Sequence, residues 1–173
     1  MLVASLTLAA SVQAASYSFN FLSTDSLYQV SGVFGTSNTL NSVGGYDITS
    51  ITGLVTGLGG GMISALVINP NQPLVTTNFG FNYDNVLFPT LTLNPVMNTN
   101  GVLFDTASSG KRWNLWGNAL GDYELYSYAG GTLNTAIDVH GNLSIAAVPE
   151  PETYAMMLAG LGLMGFIARR KAA

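Results

Sequence analysis

Cysteine is absent from this chain, and histidine occurs once. Without thiols there are no disulfides, no thiolate nucleophile and no Cys-based metal site. A catalytic triad or zinc site would have to be built around His140 alone, with no second imidazole to complete it. Charge is scarce as well: 8% of the 173 residues are charged, against about 25% in an average soluble domain. Of five basic residues, three are Arg169, Arg170 and Lys171 at the far end. Residues 15–147 keep only Lys111 and Arg112 against Asp25, Asp47, Asp84, Asp105, Asp122, Glu124 and Asp138, a net of 2 − 7 = −5. No basic stripe exists to neutralise phosphates, so no nucleic-acid partner is expected. The same stretch has one Glu and one Lys, and no sustained i, i+3, i+4 apolar stripe runs through it. Exposed helix therefore has little to be built from.

What fills the chain instead is hydrophobic residues at 48%, with Asn, Ser, Thr and Gly between them. That composition argues for a packed core with turn-rich connections rather than disorder. Tyr17, Phe19 and Phe21 alternate with Ser18 and Asn20, a period of two. Tyr28, Val30 and Val33-Phe34 continue the rhythm, and Gly44-Gly45 separates them from the β-branched run Tyr46–Thr56. Gly57–Gly61 reads as a turn, and Met62–Ile68 as the next strand. Asn100-Gly101 is a turn leading into Val102–Phe104. Arg112–Trp116 and Tyr123–Tyr128 predict a hairpin, and Leu133–Val139 and Leu143–Ala147 predict two more strands around a turn at Gly141-Asn142. Some ten to twelve short strands favour an all-β fold, an antiparallel β-sandwich or flattened barrel over residues 15–147.

Residues 1–14 have the look of a secretory signal peptide. Leu2–Ala10 form an apolar region, and Val12 and Ala14 are small residues placed for a cut after Ala14. The basic n-region is missing, which fits a start placed on an internal Met, or else a first strand. Passage through Sec-type export machinery is the expectation.

The last 25 residues follow a different plan. Pro149-Glu150-Pro151-Glu152-Thr153 precedes 15 uncharged residues, Tyr154–Ala168, and then Arg169, Arg170 and Lys171. The prolines lock their own φ and push Val148 and Glu150 toward extended geometry. Residues 154–168 make a helix about 22 Å long at 1.5 Å per residue, short of the roughly 20 residues of a typical span. Its leucines, Phe166 and Ile167 supply about 2–3 kcal/mol of favourable insertion, partly offset by three glycines. The three basic residues act as a membrane stop, snorkelling to the interface and marking the cytoplasmic side. A single short C-terminal transmembrane helix is expected, with a buried core helix as the alternative.

This tripartite arrangement over residues 148–173 resembles the PEP-CTERM sorting signal of Gram-negative bacteria, the tag recognised by the membrane enzyme exosortase. The resemblance implies cleavage near Pro149, Glu150 and Pro151 and onward transfer of the protein, in species that make exopolysaccharide and biofilms. It implies an exported protein, held at the inner membrane with its domain outside the cytoplasm and then delivered to the surface or medium. The stretches Asp84–Pro89 and Gly101–Phe104 are similar to the Gly- and Asn-rich ectodomains attached to such tags, which adds a fold and no mechanism.

Few constellations carry chemistry. Gly160–Gly165 spells GxGxxG, but inside a hydrophobic helix with no preceding strand it reads as helix-packing glycines. Gly57–Gly61 lacks the Lys-Ser/Thr of a phosphate loop. No cofactor, metal or catalytic residue is expected. A secreted hydrolase would need paired carboxylates, for which Asp105 with Asp122 or Glu124 are the nearest candidates. The aromatic group Trp113, Trp116, Tyr123, Tyr126 and Tyr128 has more to offer. Trp113 and Trp116 differ in strand parity, as do Tyr123 and Tyr126, so each strand sends one ring inward and one outward. Trp113, Trp116 and Tyr126 are the candidate sugar-binding residues of a carbohydrate-binding module for exopolysaccharide, set against plain cross-strand packing.

Overall fold

A computed structural model of the chain describes residues 15–68, 83–89, 96–107, 111–119, 121–129, 132–149 and 151–172. The signal-like segment 1–14 and the stretch around Leu91 and Leu93 lie outside the described residues. The elements are β1 (Ser16–Ser23), β2 (Gln29–Leu40), β3 (Tyr46–Thr56), β4 (Gly61–Leu66), β5 (Val86–Leu87), β6 (Val102–Thr106), β7 (Arg112–Ala119), β8 (Asp122–Ala129), β9 (Thr132–Val148) and α1 (Pro151–Ala172).

Among the described residues every pairing is antiparallel, and each long strand pairs with the next long strand in sequence. β9 returns to β1, which closes eight strands into a barrel. The ninth, β5, adds to the start of β3 at Tyr46↔Leu87, on a stretch that the short β4 does not reach. The fold is thus the flattened-barrel alternative realised as an up-and-down meander, in which closure removes the sheet edges.

The period-two patterns explain the core. Phe19, Phe21, Val30, Phe34, Phe104, Trp113, Leu115 and Leu125 all point inward and are buried. An eight-stranded barrel is just wide enough for side chains to fill. Phe19 and Phe34 stack at 3.9 Å between ring centroids, and Tyr28 tilts against Trp113 at 6.4 Å. The inward indole N–H is accommodated, since Trp113 Nε1 donates to Thr106 Oγ1 at 3.3 Å.

Two glycines have backbone reasons. Gly101 follows Asn100 as expected, with φ at 67°, and a Cβ there would meet the Leu115 carbonyl at 2.1 Å. Gly141 is different. The turn expected at Gly141-Asn142 is not there, because β9 runs straight through as one 17-residue strand. Gly141 is where β9 pairs with Tyr123 of β8 on one side and Ser23 of β1 on the other. A Cβ at that position would lie 2.3 Å from the Leu22 carbonyl. The glycine serves close approach of backbones rather than a change of direction.

Asn85 is a stitch that composition hides. In the left-handed region at φ 54°, it donates from Nδ2 to the Val67 carbonyl and accepts from Leu103 N on Oδ1. Its own carbonyl accepts from Ile48 N. One residue ties the segment before β5 to β6 and the stretch after β4 through its side chain, and to β3 through its carbonyl.

Candidate functional site

The neck between barrel and helix is shorter than the proline pattern suggests. β9 stays paired to its last residue, Val148 opposite Ser16, and α1 opens at Pro151. Pro151 is the first helical residue, where a missing N–H costs nothing and a fixed φ suits the helix. Only Pro149 and Glu150 lie between. The expected extended run of Pro149 to Pro151 is therefore truncated on its C-terminal side by the helix.

α1 exceeds the expected 154–168 at both ends and takes in Glu152, Arg169, Arg170 and Lys171. It is not a core helix. Met156 is 56%, Leu158 65% and Met164 63% exposed, so these apolar side chains lack the packing that a buried helix would give them. Among the described residues no helix is long and apolar enough to cross a membrane. The cause is visible in the sequence: 15 uncharged residues include three glycines and are bounded by Glu152 and Arg169.

The aromatic candidates separate by parity. Trp113 lies in the barrel interior with no exposed surface, so it is removed from the sugar-binding set: its ring presents no face to a ligand. Tyr123 is likewise buried. Trp116 and Tyr126 meet on the outer face, half-buried, with centroids 6.4 Å apart and planes at 40°. Register places them in two cross-strand rows, Trp116–Glu124–His140 and Asn114–Tyr126–Asp138, spanning β7, β8 and β9. Asn118 links the first row, accepting from Trp116 Nε1 at 3.2 Å and donating to Glu124 Oε2 at 2.7 Å. This bridge holds the indole edge toward a carboxylate and leaves ring surface outward.

The carboxylates around these rings are engaged locally. Burial pushes the Glu124 carboxyl above its ordinary range; the bond from Asn118 opposes this, and the neighbouring Asp138 adds to it. His140 Nδ1 lies 3.2 Å from Asp122 Oδ1, and that contact raises the imidazole pKa. Asp105 is gripped by the Arg112 fork, Nε to Oδ1 at 2.8 Å and Nη2 to Oδ2 at 3.0 Å. Asp105 pairs with Arg112 while Glu124 pairs with Trp116. The two acids are thus two strands and four residues apart, roughly 16 Å between backbones by strand spacing and rise. The Asp105–Glu124 version of a glycosidase pair is not brought together. Among the described residues no group of three or more His, Cys, Asp or Glu is placed to hold a metal ion.

Neither Asp138 nor the Asp122–His140 contact stood out in the sequence. The signal was present as outward parity on β8 and β9, but the register that aligns them had no local marker.

Barrel and tail together define a class of molecule: a closed eight-stranded antiparallel domain joined to an exposed terminal helix by a two-residue neck. Residues 147–171 match the family model of the PEP-CTERM protein-sorting motif. The chain carries that motif, which supports an exosortase-targeted surface protein. No curated protein and no solved structure matches the chain.

Proposed function

We propose that the chain is an exported, non-enzymatic barrel protein whose tail brings it to exosortase for removal of residues beyond the Pro149–Glu150–Pro151 motif. The observation that carries this reading is the sorting-motif match at 147–171, attached directly to a closed barrel. The helix is a marginal, temporary hold at the inner membrane. Its apolar length is short, and the basic residues at positions 169–171 lie near its cytoplasmic end and extend its reach. The barrel lies on the exported side, having crossed through a Sec-type route, and passes to the surface or extracellular matrix after processing. Association with exopolysaccharide in a biofilm is the expected setting. Expression with and without exosortase, followed by mass spectrometry of the C-terminus, tests the reading. A shortened C-terminus is expected only with the enzyme, and an intact tail in both cells overturns it.

A second reading is favoured by one observation, the outward Trp116–Tyr126 pair bordered by Asn118 and Glu124. Apolar ring faces with a polar rim suit the C–H faces and hydroxyls of sugars. In this reading the barrel binds polysaccharide through Trp116 and Tyr126. Trp116→Ala and Tyr126→Ala are each expected to weaken glycan-array binding by about tenfold, while the far-UV spectrum is unchanged. Binding unaltered in both variants removes this face as the site.

A further inference from the structure

We infer that the processing enzyme binds the end of β9 itself: Ala146, Ala147 and Val148 leave β1 and become the extended segment held on the N-terminal side of the Pro149–Pro151 motif. This rests on reading the motif as a processing site, and it adds a partner-binding segment that lies inside the folded barrel. A peptidase cleft holds its substrate extended, with strand-like pairing on both sides of the bond. Here the last ladder pair, Ser16↔Val148, and the first helical residue, Pro151, leave only Pro149 and Glu150 between them. Three residue steps reach at most about 10 Å, roughly two strand spacings. A cleft cannot close around so short a neck while the barrel wall occupies one flank.

The strand flank is built to yield. Ala146, Ala147 and Val148 are exposed, so parting them from β1 uncovers little further apolar surface. Opposite them stand Ser18, Tyr17 and Ser16, and among the described residues the side-chain clip is one hydrogen bond, from Ser18 Oγ to the Ala146 carbonyl at 3.2 Å. The next residue inward, Ile145, is half-buried and paired with the core residue Phe19, which stops the peeling. β1 keeps its place meanwhile. It remains paired to β2 from Ser16↔Gly35 onward, and the Ala15 carbonyl accepts from both the amide and hydroxyl of Thr36. Strand ends of this kind open at far lower free energy than the whole domain.

The test uses the full-length chain co-expressed with exosortase, with Ser16→Cys and Val148→Cys introduced together as its only cysteines. The cross-link locks β9 to β1 at its last pair. Processing of the oxidised variant is expected to slow by at least about tenfold relative to wild type, because terminal opening is blocked. Dithiothreitol should restore it. So should a Gly/Ser insertion of about eight residues between Val148 and Pro149, roughly 15 Å of flexible reach, with the cross-link still in place. Processing of the cross-linked chain at the wild-type rate overturns the inference. Absence of processing in wild type is a different result: it removes the reading of the motif as a processing site, and the inference falls with it.

Discussion

His140 and Asp122 stand 18 residues apart in sequence and 3.2 Å apart on the outer face. The carboxylate favours the protonated imidazole, which raises the His140 pKa above its ordinary 6.5. A raised pKa means that the folded state binds the proton more tightly. The stabilisation is complete below 6.5 and is lost as pH rises through the folded value. Glu124 works in the same direction in a lower window, from its ordinary 4.5 upward, with burial as the main cause. Wild-type stability is therefore expected to fall slightly as pH is raised from about 6 to about 8, and Asp122→Asn to flatten that slope. Both side chains are exposed, so the effect is small and weakens in salt. NMR titration of the imidazole checks it, and the midpoint should drop in the variant. What sequence revealed at this scale was parity. That Trp113 and Trp116 lie on opposite faces follows from a period of two; that Trp113 is the inward one was decided by the fold. Which carboxylate would face His140 had no local cause, because neighbours across a sheet are chosen by register.

At the scale of elements, β9 is the instructive strand. Gly141-Asn142 carries the local chemistry of a turn, yet the chain passes through it extended, held by β8 before and β1 after. Local preference lost to a long ladder and to the close approach of Leu22. Gly141→Ala is expected to destabilise the barrel by about 2–4 kcal/mol, since the new methyl meets backbone that cannot swing away. The urea midpoint measures this, and an unchanged midpoint would mean that β9 and β1 separate at no cost. Other boundaries were easier to read. Gly101 and the Gly57–Gly61 turn sit where positive φ is needed, and the structure uses them so. The helix was legible as an uncharged run, but its start was not: proline forbids a helix interior and equally favours a helix's first residue.

For the molecule as a whole, the closed barrel and the exposed helix divide the work. Large apolar side chains of α1 are exposed, among them Met156, Met157, Leu158 and Met164, so the helix adds little to the barrel's stability. Truncation after Pro149 is expected to change unfolding free energy by no more than about 0.5 kcal/mol, while abolishing partition into vesicles. Thermal melts of the two forms, with vesicle flotation beside them, check both halves. A large loss of stability on truncation would show that the tail packs on the domain after all. In the proposed function the same division gives the tail a limited grip, since its uncharged run is short and carries three glycines.

Composition alone excluded disulfides and made helix improbable ahead of residue 149, because backbone preference and charge supply are local properties. Alternation alone put Trp113 and Trp116 on opposite faces, and the fold chose which of them enters the core. The sorting motif was also readable from order and type of residue, since an enzyme that reads a tag reads sequence. Tertiary structure decided the rest. Closure of β9 on β1 joins positions 132 residues apart, Ser16 and Val148, and no local feature announces such a pair. That closure turned a β-sandwich or barrel into one barrel, aligned Trp116, Glu124 and His140 in a row, and seated the strand beside the motif inside the wall. Such contacts arise from cooperative pairing across the whole chain, so only the completed fold could place them.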